Sequence, residues 1–283
     1  MAEILKGAPV AEAITASVRE DVEKLKDKGI VPLLAIVRAG ERQEDLAYER
    51  GAMKRAAKAG VEVRNEVFPQ DITEEKFYAE LRRIADDDAV HGILVMRPFP
   101  KQIDDEKARE LIPPEKDVDG CTNSSMAGVF TNTQLGFPPC TAQAAMEILA
   151  HYGYDVKGKR AAVIGRSLVV GRPVAAMLMH ANATVTVCHT RTVDVPSVTR
   201  EADILITAAG KLRNVTAEYV RPGQVVIDVG INWDEENQRI AGDVDFDAVE
   251  PVAGAITPVP GGVGSVTSSV LMKHVVEAAK KRM

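Results

Sequence analysis

Seven short runs that read as strands, interleaved with segments of helical spacing, limit what this chain can fold into more than any other feature. In the first third, Val10, Ile14, Val18, Val22 and Leu25 recur at helical intervals and stop at Gly29, after which "PLLAIV" (32–37) reads as a buried strand. The rhythm continues through a helix near 44–59, a strand "VEVRNEVF" (61–68), a helix beginning at Asp71 or Thr73, and a second buried strand "HGILVM" (91–96). A second series opens near 141 with the helix "TAQAAMEILAHYG", followed by strands "RAAVIG" (160–165), "ATVTVC" (183–188), "DILITA" (203–208) and "QVVIDVG" (224–230). Strands that alternate with helices run parallel, because each crossover returns the chain to the same edge and leaves helices over both faces. The expectation is an α/β protein built as two parallel-sheet domains. With 283 residues and 46% hydrophobic content, the chain can bury two cores.

Composition removes several function classes. The formal net charge is -6 and Lys and Arg do not cluster, so no nucleic-acid partner is expected, since that binding neutralises phosphates. Cys121, Cys140 and Cys188 are odd in number and lack metal-ligand spacing, which fits a reducing cytoplasm without disulfides or zinc. His91, His151, His180 and His274 also lack ligand spacing, so no metal is expected. Acids from Glu3 onward and the lack of a bilayer-length apolar run predict neither export nor membrane anchoring.

Two glycine-bearing segments point to ligands. In "KRAAVIGRSLVVGRPVAAMLM" a strand ends at Gly165, a six-residue turn reaches Gly171, and Pro173 stands near a helix start. The N-terminus of such a helix offers free N–H groups and the positive end of its dipole to a diphosphate. The spacing is not G-x-G-x-x-G, and an ordinary strand-to-helix turn is the alternative. The next strand ends "VCHTRT", placing Thr190 and Arg191 where a NAD-preferring Rossmann unit carries an acid for the ribose 2'-OH. An arginine there suits a 2'-phosphate, so NADP is expected ahead of NAD, with Arg166 a second phosphate partner. Both arginines as plain surface residues is the bland reading. His189, alone at a strand end, reads as a packed or hydrogen-bonded structural residue. In the second segment, "ITPVPGGVG" (256–264), Pro258, Pro260, Gly261, Gly262 and Gly264 make either a simple turn or a backbone that closely approaches a flat ligand. The helix at 266–281 is expected to pack back on the first domain, which would set this loop at an inter-domain cleft.

Together "PEKDVDG" (114–120), "GRSLVVGRP" (165–173), "GDV" (242–244) and "ITPVPGGVG" (256–264), in this order, resemble the bifunctional methylenetetrahydrofolate dehydrogenase/methenyltetrahydrofolate cyclohydrolase family essentially end to end. The resemblance implies a folate-binding catalytic domain of residues 1–140 plus 266–283, a Rossmann-type NAD(P)-binding domain of residues 141–265, and a homodimer. It implies a tetrahydrofolate derivative as substrate and NADP as hydride acceptor. It makes Tyr48 and Asp119 the catalytic and substrate-binding candidates, Tyr48 stacking on the folate and Asp119 accepting from the pterin ring. Pro258, Gly261 and Gly262 would touch the substrate through backbone, and Gly165, Arg166, Ser167, Gly171, Thr190, Arg191 and Ile231 would hold the cofactor. Without the resemblance, Tyr48 reads as core on an amphipathic helix, and an aspartate in this turn reads as a cap, which fits Asp117 better.

The chain also departs from the family pattern. Where the family carries Ser-x-x-Tyr-x-x-x-Lys, "DLAYERGA" gives Asp45, Tyr48 and Ala52, and Lys54 lies roughly 200° around the helix from Ala52. Where the family has a "VQLPLP"-like loop whose Gln supports that lysine, "VMRPFP" gives Met96 and Arg97. Ser265 and Val266 replace the usual Pro-Met. Hydride transfer needs alignment rather than a protein proton donor. Hydrolysis of the methenyl group needs a positioned acid/base group, whose loss forfeits about 10² to 10⁴ in rate. The expectation is a dehydrogenase with weak or absent cyclohydrolase activity. An Asp45–Arg97 ion pair filling the lysine's space would instead suit a modified pterin or one-carbon substrate, and a non-catalytic folate/NADP sensor is the third reading. Shikimate-dehydrogenase-like enzymes share the two-domain plan, but none of the ordered motifs favours them.

Overall fold

The structure, a computed structural model, describes residues 1–282. From the N-terminus come β1 (Glu3–Ile4), α1 (Gly7–Lys26), β2 (Leu33–Ala39), α2 (Gln43–Ala59), β3 (Glu62–Phe68), α3 (Glu74–Asp86), β4 (Gly92–Val95), α4 (Asp105–Glu110) and α5 (Asn123–Thr131). The second half runs α6 (Cys140–His151), β5 (Arg160–Ile164), α7 (Gly171–His180), β6 (Thr184–Cys188), α8 (Val195–Arg200), β7 (Ile204–Thr207), β8 (Val225–Asp228), β9 (Asn232–Asp234), β10 (Arg239–Ala241), α9 (Phe246–Val249), β11 (Ala255–Ile256) and α10 (Gly264–Lys280). The chain divides into two compact units, one of Met1–Ala11 with Thr141–Thr267, the other of Glu12–Cys140 with the residues from Ser268 on.

The unit begun by Glu12 holds a parallel sheet in the order β3-β2-β4, with Leu34 opposite both Val63 and Gly92. The central strand β2 is apolar and buried, as a strand covered on both faces must be. The edge strand β3 is charged instead, with Arg64 bridging Glu66 at 2.9 Å and Asp87 at 2.7 Å, which discourages pairing with a foreign strand. Helix α3 lays Phe77, Leu81 and Ile84 against Ala35, Val37, Ile93 and Val95, and Phe77 meets the Phe68 and Phe99 rings edge-on at 5.8 and 5.1 Å. Thr73, not Asp71, starts that helix, because its side chain accepts from the Lys76 N–H. The buried Lys116 ammonium closes the other end by donating to the Ala85 and Asp87 carbonyls at 2.5 and 2.8 Å.

The other unit is a six-stranded parallel sheet in the order β1-β11-β8-β7-β5-β6. Ala162, Ile164, Leu205, Val226 and Ile256 from its strands join Val215, Val220, Val244 and Val249 in one core. The first eleven residues group with this unit. The cause is backbone pairing: Glu3 and Ile4 register with Ala255 and Ile256, adding a short edge strand that hydropathy does not announce. No helix among the described residues is long and apolar enough to cross a membrane.

Candidate functional site

In the unit containing α2, the segment "PEKDVDG" builds a carboxylate site by giving its two aspartates different tasks. Asp117 is fully buried and accepts from the Cys121 and Thr122 N–H groups at 3.0 and 2.8 Å and from the Ser125 hydroxyl at 2.6 Å. It is the turn residue its spacing suggested, and it leaves Asp119 for other work. Gly120 follows at φ +67, and a Cβ there would stand 2.4 Å from the Pro139 nitrogen, so only glycine lets the chain turn away beyond Asp119. The Cys140 thiol hydrogen-bonds the Asp119 carboxylate and lies 3.2 Å from the Val118 carbonyl. That carbonyl also meets His274 Nδ1 at 2.8 Å, and the His274 ring stacks on Phe137 at 4.9 Å.

Burial, reinforced by the Asp117 charge, pushes the Asp119 carboxyl up to about 6, against the opposing pull of the Cys140 hydrogen bond and the Arg97 charge. Tyr48 keeps 38% of its surface exposed, yet its hydroxyl end is desolvated. That desolvation, with the charges of Asp119 and Cys140, raises the phenol well above its ordinary value. Tyr48 is therefore a neutral donor beside a carboxylate that ionises near neutrality. Helix α2 is fixed by Glu49, which accepts from Arg38 Nε at 2.7 Å and from the Asn65 side-chain amide at 3.0 Å. None of Cys140, His274, Arg38 or Glu49 figured as a candidate, since each is far from its partner in sequence and has no motif.

Ala52 and Met96 are 1% and 5% exposed, so apolar side chains close both positions where the family carries a lysine and a glutamine. Lys54 is exposed to solvent, on another face of the helix. The anticipated Asp45–Arg97 pair does not form. Asp45 lies 3.9 Å from Arg42, one turn away on its own helix, and Arg97 lies 3.5 Å from Asp105 at the start of α4. Asp45 is buried, and that burial raises its pKa.

In the second unit, the register of Ile164 with Cys188 and a 2.9 Å hydrogen bond from the Gly165 N–H to the Cys188 carbonyl bring residues 165–167 beside 189–191. A Cβ on Gly165 would lie 2.2 Å from the Ala208 carbonyl oxygen, and one on Gly171 2.2 Å from that of Gly165. Helix α7 then begins without a side-chain cap at Val170. A turn closed this tightly on an uncapped helix end fits a dinucleotide phosphate. Arg166, Ser167, Thr190 and Arg191 are exposed at the same edge, and neither arginine makes an ion pair among the described residues. His189 Nδ1 accepts from the Arg191 N–H at 3.1 Å, which is the structural role read for it.

A pocket of about 200 Å³ in this unit is lined by Asp228, Gly230, Ile231, Ile240 and the loop 258–265, so Ile231 stands with Pro258, Gly261 and Gly262. Gly261 has φ +103, and a Cβ on Gly262 would lie 2.5 Å from the Pro258 carbonyl oxygen. The glycines are thus required by the turn itself, and the same turn lines a pocket.

Beneath it sits the "GDV" segment. Asp243, wholly buried, accepts from the N–H groups of Ala209 (2.5 Å), Gly210 (3.1 Å) and Lys211 (2.9 Å) and from the Asn232 amide (3.0 Å). Asp228 accepts from the N–H groups of Gly230 at 2.9 Å, Asp243 at 3.2 Å and Val244 at 2.9 Å, and from the Thr207 hydroxyl at 3.0 Å. Burial still pushes its carboxyl up to about 6. Among the described residues no group of three or more His, Cys, Asp and Glu side chains is arranged to hold a metal.

Residues 5–119 match the catalytic domain of the tetrahydrofolate dehydrogenase/cyclohydrolase family, and residues 139–283 match its NAD(P)-binding domain. The chain is 53% identical over 281 residues to the bifunctional protein FolD of Carboxydothermus hydrogenoformans, covering 99% of this chain and 98% of that one. It is similar to the crystal structure of the bifunctional FolD methylenetetrahydrofolate dehydrogenase/cyclohydrolase of Campylobacter jejuni, with 37% identity, a TM-score of 0.96 and 100% of both chains covered. The Trypanosoma brucei methylenetetrahydrofolate dehydrogenase-cyclohydrolase, complexed with NADP and an inhibitor, aligns at 36% identity with a TM-score of 0.92, covering 99% of this chain and 98% of the other.

Proposed function

The chain belongs to the tetrahydrofolate dehydrogenase/cyclohydrolase family, and on that premise we propose that it is an NADP-dependent 5,10-methylenetetrahydrofolate dehydrogenase with weak or absent cyclohydrolase activity. The hydride leaves the methylene carbon with its electron pair, and the cation left behind is delocalised over the two folate nitrogens as the methenyl product. Bound NADP supplies the acceptor carbon.

The protein's part is to bind and orient. Asp119, ionised above about pH 6, accepts paired donors from the pterin, and Tyr48 covers the ring while its neutral hydroxyl donates. Pro258, Gly261 and Gly262 present backbone to the substrate, and Ile231 presents an apolar side chain to the cofactor in the same pocket. Gly165, Arg166, Ser167 and Gly171 receive the diphosphate, and Thr190 and Arg191 the 2'-phosphate, which is why NADP is preferred to NAD. We further place the enzyme in the cytoplasm as a homodimer.

The observation that carries the reading is the neutral Tyr48 beside the semi-buried Asp119, with no ammonium near them on α2. Hydride transfer requires no more of these residues, whereas methenyl hydrolysis lacks its acid/base group. The test follows reduced cofactor and methenyltetrahydrofolate separately by absorbance, starting from methylenetetrahydrofolate and NADP, with uncatalysed hydrolysis subtracted. Reduced cofactor with accumulating methenyl product supports the reading. Reduced cofactor without accumulation removes its second half, and no reduction with NADP or NAD removes the first.

A further inference from the structure

Helix α2 carries Tyr48 but has little on its buried face to fix where it sits. Its buried residues are Asp45, Glu49, Ala52, Ala56 and Ala59. Three alanines raise no ridge tall enough to lock into a neighbouring groove, so packing sets the register of this helix only weakly. Asp45 has its ion contact, at 3.9 Å, with Arg42 at the start of the same helix, which ties Asp45 to no other element. The lysine and glutamine of the family pattern are Ala52 and Met96 here, so that polar link from α2 to the loop after β4 is lost. The far end of α2 is held to α1, where Arg19 donates to the Lys58 carbonyl from Nε at 3.1 Å and from Nη2 at 2.7 Å.

Near Tyr48 the anchor is Glu49. Its Oε2 accepts from Arg38 Nε at 2.7 Å and its Oε1 from the Asn65 side-chain amide at 3.0 Å, while Arg38 Nη1 donates to the Gly40 carbonyl at 2.6 Å. Arg38 and Glu49 are 9% and 8% exposed. The pairing of Ile36 with Asn65 and of Arg38 with Val67 sets both donors on one face of the sheet, on neighbouring strands, so the sheet itself fixes their spacing. A carboxylate that must meet both donors has one position along the helix axis and one rotation about it. A buried ion pair adds little net stability over apolar groups of the same volume, but it admits few alternative arrangements.

Tyr48 is the residue before Glu49, and its desolvated hydroxyl end lies within reach of the Asp119 charge. A slip of α2 by one residue would carry Tyr48 about 1.5 Å along the helix axis and turn it by about 100°. We infer that Arg38 and Glu49, with Asn65, are positioning residues for hydride transfer: they set the register of α2 and so hold Tyr48 in place on the folate. The pair acts through Tyr48 and not on the reacting atoms. The inference rests on the folate reading given above.

The experiment measures kcat and KM for methylenetetrahydrofolate, KM for NADP and the urea midpoint in the unaltered protein, in Arg38→Met/Glu49→Leu and in Asn65→Ala. The double variant exchanges the ion pair for apolar groups of similar volume, so its urea midpoint is expected to stay close to that of the unaltered protein. Its kcat/KM for the folate should nonetheless fall by about 10- to 100-fold, since a misplacement of about 1 Å can cost 10²-fold, with KM for the folate raised and KM for NADP within about twofold. Asn65→Ala removes one of the two donors from an exposed position on the edge strand and should lose about three- to tenfold in the same parameter. A merely structural pair would lower the folded fraction, which reduces kcat and leaves KM for the folate unchanged. That pattern, or a kcat/KM within about twofold of the unaltered protein in both variants, overturns the positioning role alone. If the double variant does not fold, Asn65→Ala decides, and an unchanged KM for the folate there overturns it. Failure of the unaltered protein to turn over the folate overturns the dehydrogenase reading and the positioning role with it.

Discussion

Asp243→Asn tests whether the buried aspartate pair beneath the 258–265 pocket shapes the cofactor edge. The carboxylate holds four donors, two on each oxygen, and the asparagine is nearly isosteric but has a single carbonyl oxygen. If that oxygen keeps Ala209 and Gly210, the new amide NH₂ faces the Lys211 N–H and the Asn232 amide, donor against donor. Hydrogen bonds to a charged acceptor are worth about 1.5 to 3 kcal/mol each, so losing two at a fully buried site costs roughly 3 to 6 kcal/mol. Part of this is returned because the Asp243 charge is one of the causes raising the Asp228 carboxyl, and its removal relieves that repulsion. The expected net loss is about 2 to 4 kcal/mol. The assay is urea unfolding followed by the fluorescence of Trp233, the chain's one tryptophan, which is 56% exposed in β9 next to Asn232. Function should move with it. The loop 209–211 continues from Ala208, whose carbonyl closes on Gly165, so KM for NADP is expected to rise roughly tenfold while kcat falls less. Unfolding within about 0.5 kcal/mol of the unaltered protein, together with an unchanged KM for NADP, would refute the reasoning.

Arg191→Ala is expected to raise KM for NADP by about tenfold and leave KM for NAD unchanged, since an arginine–phosphate pair is the only contact removed; steady-state kinetics with both cofactors decides it. Activity should fall as pH drops below about 6, where Asp119 takes up a proton and stops accepting from the pterin, and Asp119→Asn should flatten that limb of the KM profile while raising KM throughout. Stability should respond in the opposite sense. Asp119 and Asp228 have folded-state values near 6, above the ordinary 3.8, so the folded protein binds their protons more tightly and these two groups add stability as pH falls from about 6 toward 3.8, measurable as melting temperature against pH. Ala52→Lys should lower stability by about 2 to 5 kcal/mol in urea unfolding without restoring hydrolysis, and Ala52→Lys/Met96→Gln should recover part of the loss.

Strands β2, β4, β5, β7 and β8 were legible as short apolar runs between turn residues, as strands buried on both faces are, and β3 and β6 by their alternating valines and phenylalanine or cysteine. β1 and β11 were not, because two-residue strands carry no periodicity and are recruited only by pairing. The β9–β10 hairpin escaped for a related reason: Trp233 and Ile240 face each other across it, but both are largely exposed, so no buried stripe marks either strand. In the candidate sites, Asp117 and Asp119 could be assigned different tasks from the spacing of one turn, since capping is a local interaction. The Cys140–Asp119 contact, the His274 contact with Val118 and the four-donor clamp on Asp243 join residues 21 to 156 positions apart in one case and 11 to 34 in the other, and no local rule reaches across such gaps.

The paired departure at Ala52 and Met96 follows the same logic of satisfied groups. A buried ammonium deprived of its amide partner, or the amide left without its ammonium, keeps a desolvated polar group with nothing to bond, at about 1 to 3 kcal/mol or more. Replacing both by apolar side chains is close to neutral, so the two substitutions are far easier to tolerate together than one at a time. Both positions are closed to water here, as that route requires. On the function proposed above, the change removes an acid/base group while both positions stay packed with apolar side chains, and hydride transfer does not draw on the group removed. A lysine restored alone would re-create the unpartnered intermediate that the coupled loss avoids, which is why the single variant is expected to cost stability and the double variant to regain it.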